Sequence, residues 1–251
     1  MKFLRDTWLT FQYEVGQLLH NPINVAVTLM QPITYLLFFT PFLKSVMHVS
    51  TYGDAYRVYV PSLFVAMGLF NGMFGGFTLL AAMRKGVITR FRVAPLSRVG
   101  LILGRELMYV VLIGFQALVI TVFAAIFGLR VSAENLLFAL LLLSMMVLLG
   151  VSISYALALM VPNETVLVNL VNGVAQPLSL LAGVLIPLSV APLWVRDVAH
   201  FNPFAWGANG IRAVFHGALG DHVVWQAGVI LAVLATISVT LSSRLFTREI
   251  G

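Results

Sequence analysis

The chain has 251 residues, of which 60% are apolar and 10% charged, with a mean hydropathy of +0.99. Soluble domains run at roughly 45–50% apolar and 25% charged, so a soluble core is excluded and an integral membrane protein is implied. The absence of cysteine removes disulfides, thiolate metal sites and cysteine nucleophiles together. No internal repeat is visible, and the length fits one membrane domain over 1–251.

Lys2 to His20 places Leu4, Trp8, Phe11, Val15 and Leu18 on one helical face, with Arg5, Asp6, Gln12, Glu14 and Gln17 elsewhere. This predicts an amphipathic helix over 1–21 lying in the membrane interface. Asp6 and Glu14 interrupt any uncharged h-region, which argues against a signal peptide. Spans are predicted over Val25 to Leu43, with a kink at Gln31–Pro32, and from Arg57 or Val58 to Met83. In the second, Gly68, Gly72 and Gly76 recur every fourth residue, a stripe for close helix approach either within the chain or between chains. Further spans follow over Leu107 to Gly128, Leu136 to Val161, Val166 to about Val190 with bends at Pro177 and Pro187, and Val223 to Leu241.

Between the second and third spans lies the one long polar interruption in the first two thirds of the chain, which carries Arg84, Lys85, Arg90, Arg92, Arg98 and Arg105. So basic a loop stays cytosolic during insertion. Its charge alone is explained by topology. Val87, Ile88, Phe91 and Val93, with Pro95 and Leu96 opening a new element, add apolar positions suited to packing on a partner.

Ala191 to His222 is apolar yet contains Arg196, Asp197, His200, Arg212, His216 and Asp221. A charge at the centre of a lipid-facing helix costs about 2.5–3.5 kcal/mol on insertion scales. Two short helices broken at Asn202–Pro203, entering the membrane from outside and returning, avoid that cost. The expected fold is therefore all-α, with six transmembrane helices, both termini cytosolic, and re-entrant helices between spans five and six. Ten basic residues then lie inside (Lys2, Arg5, the loop's six, Arg244, Arg248) and five outside (Lys44, Arg57, Arg130, Arg196, Arg212). That bias fits the orientation, and membrane lipid rather than nucleic acid accounts for the net charge of +6.

Catalytic chemistry is not in view. No lysine follows a glycine, so there is no P-loop and this chain is not expected to hydrolyse ATP by itself; neither HExxH nor GxSxG occurs. The acidic residues are expected at span ends or in loops, which leaves no catalytic or metal site. The residues expected at depth are uncharged: Gln31, Asn71, Gln116, Asn169, Asn172 and Gln176. Asn169, Asn172 and Gln176, three and four apart, share one face of the fifth span. They either bond between helices or line a path for a neutral or amphipathic solute together with Asn71.

Two stretches carry a family resemblance. ITRFRVAPLSRVGLILGREL resembles the basic Pro-Leu-Ser signature after the second span of ABC-2 exporter permeases, and LAGVLIPLSVAPLWVRDVAHFNPFAWGANGIRAVFHG (Leu181 to Gly217) resembles that family's later Pro-Leu, Pro-x-Trp and Asn-Pro segment. The chain is most similar to the daunorubicin-resistance type. The resemblance implies a half-transporter, in which two permease chains, identical or homologous, sit on two copies of an ATP-binding cassette subunit that holds ATP and Mg, while this chain binds no cofactor. It implies coupling within 84–105, through Arg84, Lys85, Arg90, Phe91, Arg92, Pro95, Leu96 and Arg98. The outer segment, 191–222, is expected to form a lid with Trp194, Asn202, Pro203 and Arg212. Export of a drug-like or amphipathic metabolite across a bacterial or archaeal inner membrane, with antibiotic resistance as a consequence, is the implied function. Lipid-linked polysaccharide export and a non-transporting assembly or anchoring role are the alternatives. One departure is that family members often carry Glu before the Pro-Leu-Ser, whereas this chain has Val87, Thr89 and Arg90 there. A coupling scheme relying on an acid in that stretch has no residue for it here.

Overall fold

A computed structural model describes residues 2–20, 22–46, 51–84, 97–184, 188 and 191–250. Among these, all regular structure is helical: α1 (Lys2–Leu19), α2 (Pro22–Val46), α3 (Tyr52–Arg84), α4 (Arg98–Ile126), α5 (Ala133–Met160), α6 (Glu164–Leu181), α7 (Leu193–Ala199), α8 (Pro203–Phe215) and α9 (His222–Ile250). Five of them, α2, α3, α4, α5 and α9, are long and apolar enough to cross a membrane. The chain is thus a multi-pass helical membrane protein. α6 has 18 residues and three amides and is not among the five.

Polar caps set the boundaries. Ser97 Oγ accepts from Gly100 N at the start of α4, Ser132 from Asn135 N at α5, Asn163 from Val166 N at α6 and Asn202 from Phe204 N at α8. α4 begins nine residues before the expected Leu107, because its early arginines find partners: Arg98 Nη1 donates to Thr247 O at 3.1 Å and Arg105 pairs with Glu14. α6 runs through Pro177 and stops at Leu181, where Gly183 takes φ +66°. The expected extension to Val190 and the bend at Pro187 run into residues outside the described set.

At the centre α3 lies on α5, and the glycine stripe is the reason. Gly68 meets Leu143 and Met146, Gly72 faces Gly150 with room for only about one carbon between the backbones, and Gly76 N donates to Ser154 Oγ at 2.8 Å. Ser154 Oγ in turn donates to Met73 O. The stripe is spent inside the chain.

Both ends of the bundle are identifiable from polar contacts. At one end the start of α1, the end of α3, the starts of α4 and α6 and the end of α9 meet, through Asp6 with Ser97, Arg84 with Glu164 (3.5 Å) and Arg98 with Thr247. At the other, Arg57 Nη2 donates to Arg130 O at 3.4 Å, and Arg212 Nη2 donates to Gly183 O and to Ala182 O at 3.3 Å. α6 therefore runs from one end to the other, as the five long helices do.

α7 and α8 flank the break at Asn202–Pro203. Gly207 packs on Met146 and Leu231, Gly210 on Leu142 and Ala227, and Gly217 nears Asn135. α8 thus runs alongside α5 from its middle to its start, a path of about 20 Å. Asn202 Nδ2 donates to Leu178 O at 2.8 Å, tying the reversal to α6.

Candidate functional site

Two regions bear on function. The first is the bundle end that gathers α1 and the basic segment. α1 docks on α4 by its polar side: Asp6 is fully buried, and its Oδ2 accepts from Ser97 N at 2.9 Å. Thr7 is buried against Gly100, and a Cβ on Gly104 would lie 2.7 Å from both Thr7 O and Thr10 Cβ. Leu4 and Trp8 are exposed on the other side. Of the apolar stripe read from the sequence, Leu4 and Trp8 are exposed, whereas Phe11, Val15 and Leu18 are half-buried.

Arg105 Nε reaches Glu14 Oε1 at 2.6 Å, with the side chains only 16% and 14% exposed. Of the residues expected to couple to a partner, the structure describes Arg84, in an exposed pair with Glu164, and Arg98, on Thr247. Lys85, Arg90, Phe91, Arg92, Pro95 and Leu96 lie outside the described residues. Arg98 to Arg105, expected within that loop, form the first two turns of α4.

One sequence expectation needs correction here. The acidic side chains do not all fall at span ends or in loops, because Glu106 is fully buried inside α4. Its Oε1 accepts from Ser152 Oγ of α5 at 2.8 Å and lies 3.3 Å from Ser242 Oγ of α9, whose one proton is shared with Val239 O at 3.0 Å, while Oε2 has no partner. The available signal was Ser152 and Ser242, two small hydroxyls inside apolar runs, which can supply a buried carboxylate.

The second region is the face of α6. Leu167, Val171, Ala175 and Ser179 are buried and hold α6 to the bundle. Asn169 and Gln176 are exposed, Asn172 is half-buried, and a Cβ on Gly173 would meet nothing within 4 Å. Asn172 Nδ2 donates to Val168 O at 3.0 Å, and Asn71 Nδ2 to Met67 O at 3.1 Å, each within its own helix. Among the described residues no hydrogen bond joins Asn71 to the α6 amides.

In residues 191–222 Trp194 is exposed at 69%, whereas Asn202 is buried and Arg212 half-buried. Pro203 is the first residue of α8. Arg212 Nη2 donates to Ser62 Oγ at 3.4 Å and to the carbonyls of Ala182 and Gly183, just past the end of α6. A cavity of about 220 Å³ lies between α7 and α8, lined by Arg196, His200, Trp206 and Asn209 among others. It falls below the roughly 300–1,000 Å³ of drug-sized sites, whereas a more open groove of about 420 Å³ lies between Trp206 of α8 and Trp225 and Val229 of α9.

Residues 5–216 match the model of the ABC-2 type transporter family. The chain belongs to that family. It is 22% identical over 247 residues to the "Putative transport permease ycf38" of Cyanophora paradoxa, covering 97% of this chain and 83% of that one. It is 26% identical over 205 residues to the protein of the same name from Porphyra purpurea, covering 79% and 70%. Membership implies, in general, an ATP-binding cassette partner for this ABC-2 chain.

Proposed function

We propose that this chain is the transmembrane permease subunit of an exporter that moves a drug-like or amphipathic metabolite out of the cell, driven by ATP hydrolysed on a separate subunit. The observation that carries the reading is the α6 face, where Asn169, Gln176 and Gly173 are uncovered and Asn172 half-covered. Amides turned to hydrocarbon without partners are costly, so this face belongs against water or a second chain. A second permease copy, identical or homologous, would close it into a hydrated path shared between the two chains, with Asn71 on the neighbouring α3.

In this reading α6 is the fifth of six spans, and the end carrying α1, Arg84 and Arg98 faces the cytosol of a bacterial or archaeal inner membrane. α7 and α8 then form a re-entrant pair on the outer side, with Trp194, Asn202, Pro203 and Arg212 in a lid above the path. The segment 84–105 docks on two ATP-binding cassette subunits, which hold ATP and Mg; apolar positions fill a groove while its arginines, apart from the inward-paired Arg105, set orientation.

The test is co-purification of the tagged chain with a co-expressed cassette ATPase, followed by ATP hydrolysis in the presence of a panel of amphipathic compounds. Stoichiometric capture with cargo-stimulated hydrolysis is expected. A chain that binds no such ATPase would leave an assembly or anchoring role.

A further inference from the structure

Successive residues of α4 point to different neighbours in one layer of the bundle. Arg105 holds α1 through Glu14, and Glu106 holds α5 and α9 through Ser152 and Ser242. The two attachments differ in kind. That of α1 is close-packed, with Gly100 and Gly104 against Thr7 and Thr10 and an ion pair beside them. That of α5 and α9 is a buried carboxylate whose two hydroxyl donors share Oε1, leaving Oε2 bare. Tyr155 Oη on α5, one turn from Ser152, and Ser243 Oγ, next to Ser242, are also buried without partners.

Native interiors satisfy nearly all such groups, so the bare oxygens mark a contact with bonding capacity to spare. Ser242 has one hydroxyl proton and two acceptors in reach, Glu106 Oε1 at 3.3 Å and Val239 O of its own helix at 3.0 Å, so it can leave the carboxylate and return without going unpaired. Among the described residues the carboxylate is the side-chain acceptor on α4 for both serines, so removing it loosens the hold of α4 on α5 and α9.

We propose that Glu106 is the positioning residue through which the rigid pair α1–α4 passes its displacement to α5 and α9: a joint of exchangeable hydrogen bonds beside a fixed one at Arg105. The role in transport rests on the exporter reading above, because that reading puts the ATPase against α1 and the basic segment. The joint itself is a property of the four helices and is measurable without a partner.

The chain has no cysteine, so spin-label pairs can be placed at Trp8 with Leu118, reporting α1 against α4, and at Leu118 with Ile237, reporting α4 against α9; all three positions are exposed. In the full-length protein in nanodiscs, Glu106→Leu is expected to broaden the Leu118–Ile237 distance distribution at least twofold and leave Trp8–Leu118 unchanged. Glu106→Gln, whose amide oxygen still accepts from both serines, is expected to restore the narrow distribution. No broadening in Glu106→Leu, equal broadening of both pairs, or failure of Glu106→Gln to restore would overturn the joint. In the complex with the ATPase, a single cysteine at His216 is expected to label at different rates with and without trapped nucleotide, and Glu106→Leu to abolish that difference while ATP is still hydrolysed. A retained difference contradicts the role in transmission. Absence of any difference in the parent complex counts against the exporter reading and leaves the spin-label result to decide on the joint.

Discussion

Arg105 Nε and Glu14 Oε1 lie 2.6 Å apart, and this ion pair joins the first helix to the start of α4 across 91 positions of sequence. A pair with side chains about one-seventh exposed is partly shielded from water. Removing one partner strands the other, at about 3–5 kcal/mol for a fully buried pair and less here. Glu14→Met or Arg105→Met alone is expected to destabilise the protein by about 2 kcal/mol, and the double variant to be more stable than either. Thermal unfolding of the four proteins in detergent measures this; additive losses would mean that the pair contributes no coupling.

Gly104 tests the docking of α1 by shape rather than charge. A side chain there would meet Thr7 O and Thr10 Cβ at 2.7 Å, whereas a Cβ on Gly114, on the same helix, meets nothing within 4 Å. Gly104→Val is expected to release α1 from α4 and open the chain between α1 and α2 to protease, while Gly114→Ala is neutral or stabilising by up to about 1 kcal/mol, since alanine is the better helix former. Equal protease resistance in both variants would contradict the close packing.

Much of this was legible in the sequence and some was not, for physical reasons. The four-residue spacing of Gly68, Gly72 and Gly76 identified a close helix approach, and the structure supplies its partner: Gly150 on α5, with Ser154 one turn further. Spacing cannot name the partner helix. The α1 stripe did not show which side docks: Asp6 and Thr7 are the buried residues that pack on α4, Phe11, Val15 and Leu18 are half-buried, and Leu4 and Trp8 are exposed. Glu106 was missed because a carboxylate nine residues into α4 looks like a span boundary when the helix start is judged by hydropathy. Only the contacts of Arg98 and Arg105 show that the helix begins earlier.

The placement of α7 and α8 makes a topological prediction. In the proposed orientation both lie on the outer side, and cysteines at His200 and His216 are then expected to react with an impermeant thiol reagent added outside. His200 is expected to react more slowly, because it sits at the reversal whose neighbours reach the middle of α5, while His216 follows the end of α8. Labelling of one position only from outside and the other only from inside would establish a further crossing.

The α6 amides separate a path from packing. Asn172 bonds within its own helix and is half-exposed, so Asn172→Leu removes no bond to another helix among the described residues. It is expected to leave the protein level within about twofold and to change the apparent affinity or choice of cargo. Loss of the protein from the membrane, with unchanged transport per molecule, would assign the amides to packing between chains.

The central claim is that ATP hydrolysed by a separate subunit drives export through this chain by way of the basic segment. It is tested most directly in inside-out vesicles containing the chain and its ATPase, by following ATP-dependent uptake of fluorescent amphipathic compounds. Uptake is expected with the parent chain and is expected to be lost in the Leu96→Asp, Val99→Asp double variant, which still inserts normally. Uptake that is independent of ATP, or undiminished in the double variant with normal ATPase binding, would contradict the account.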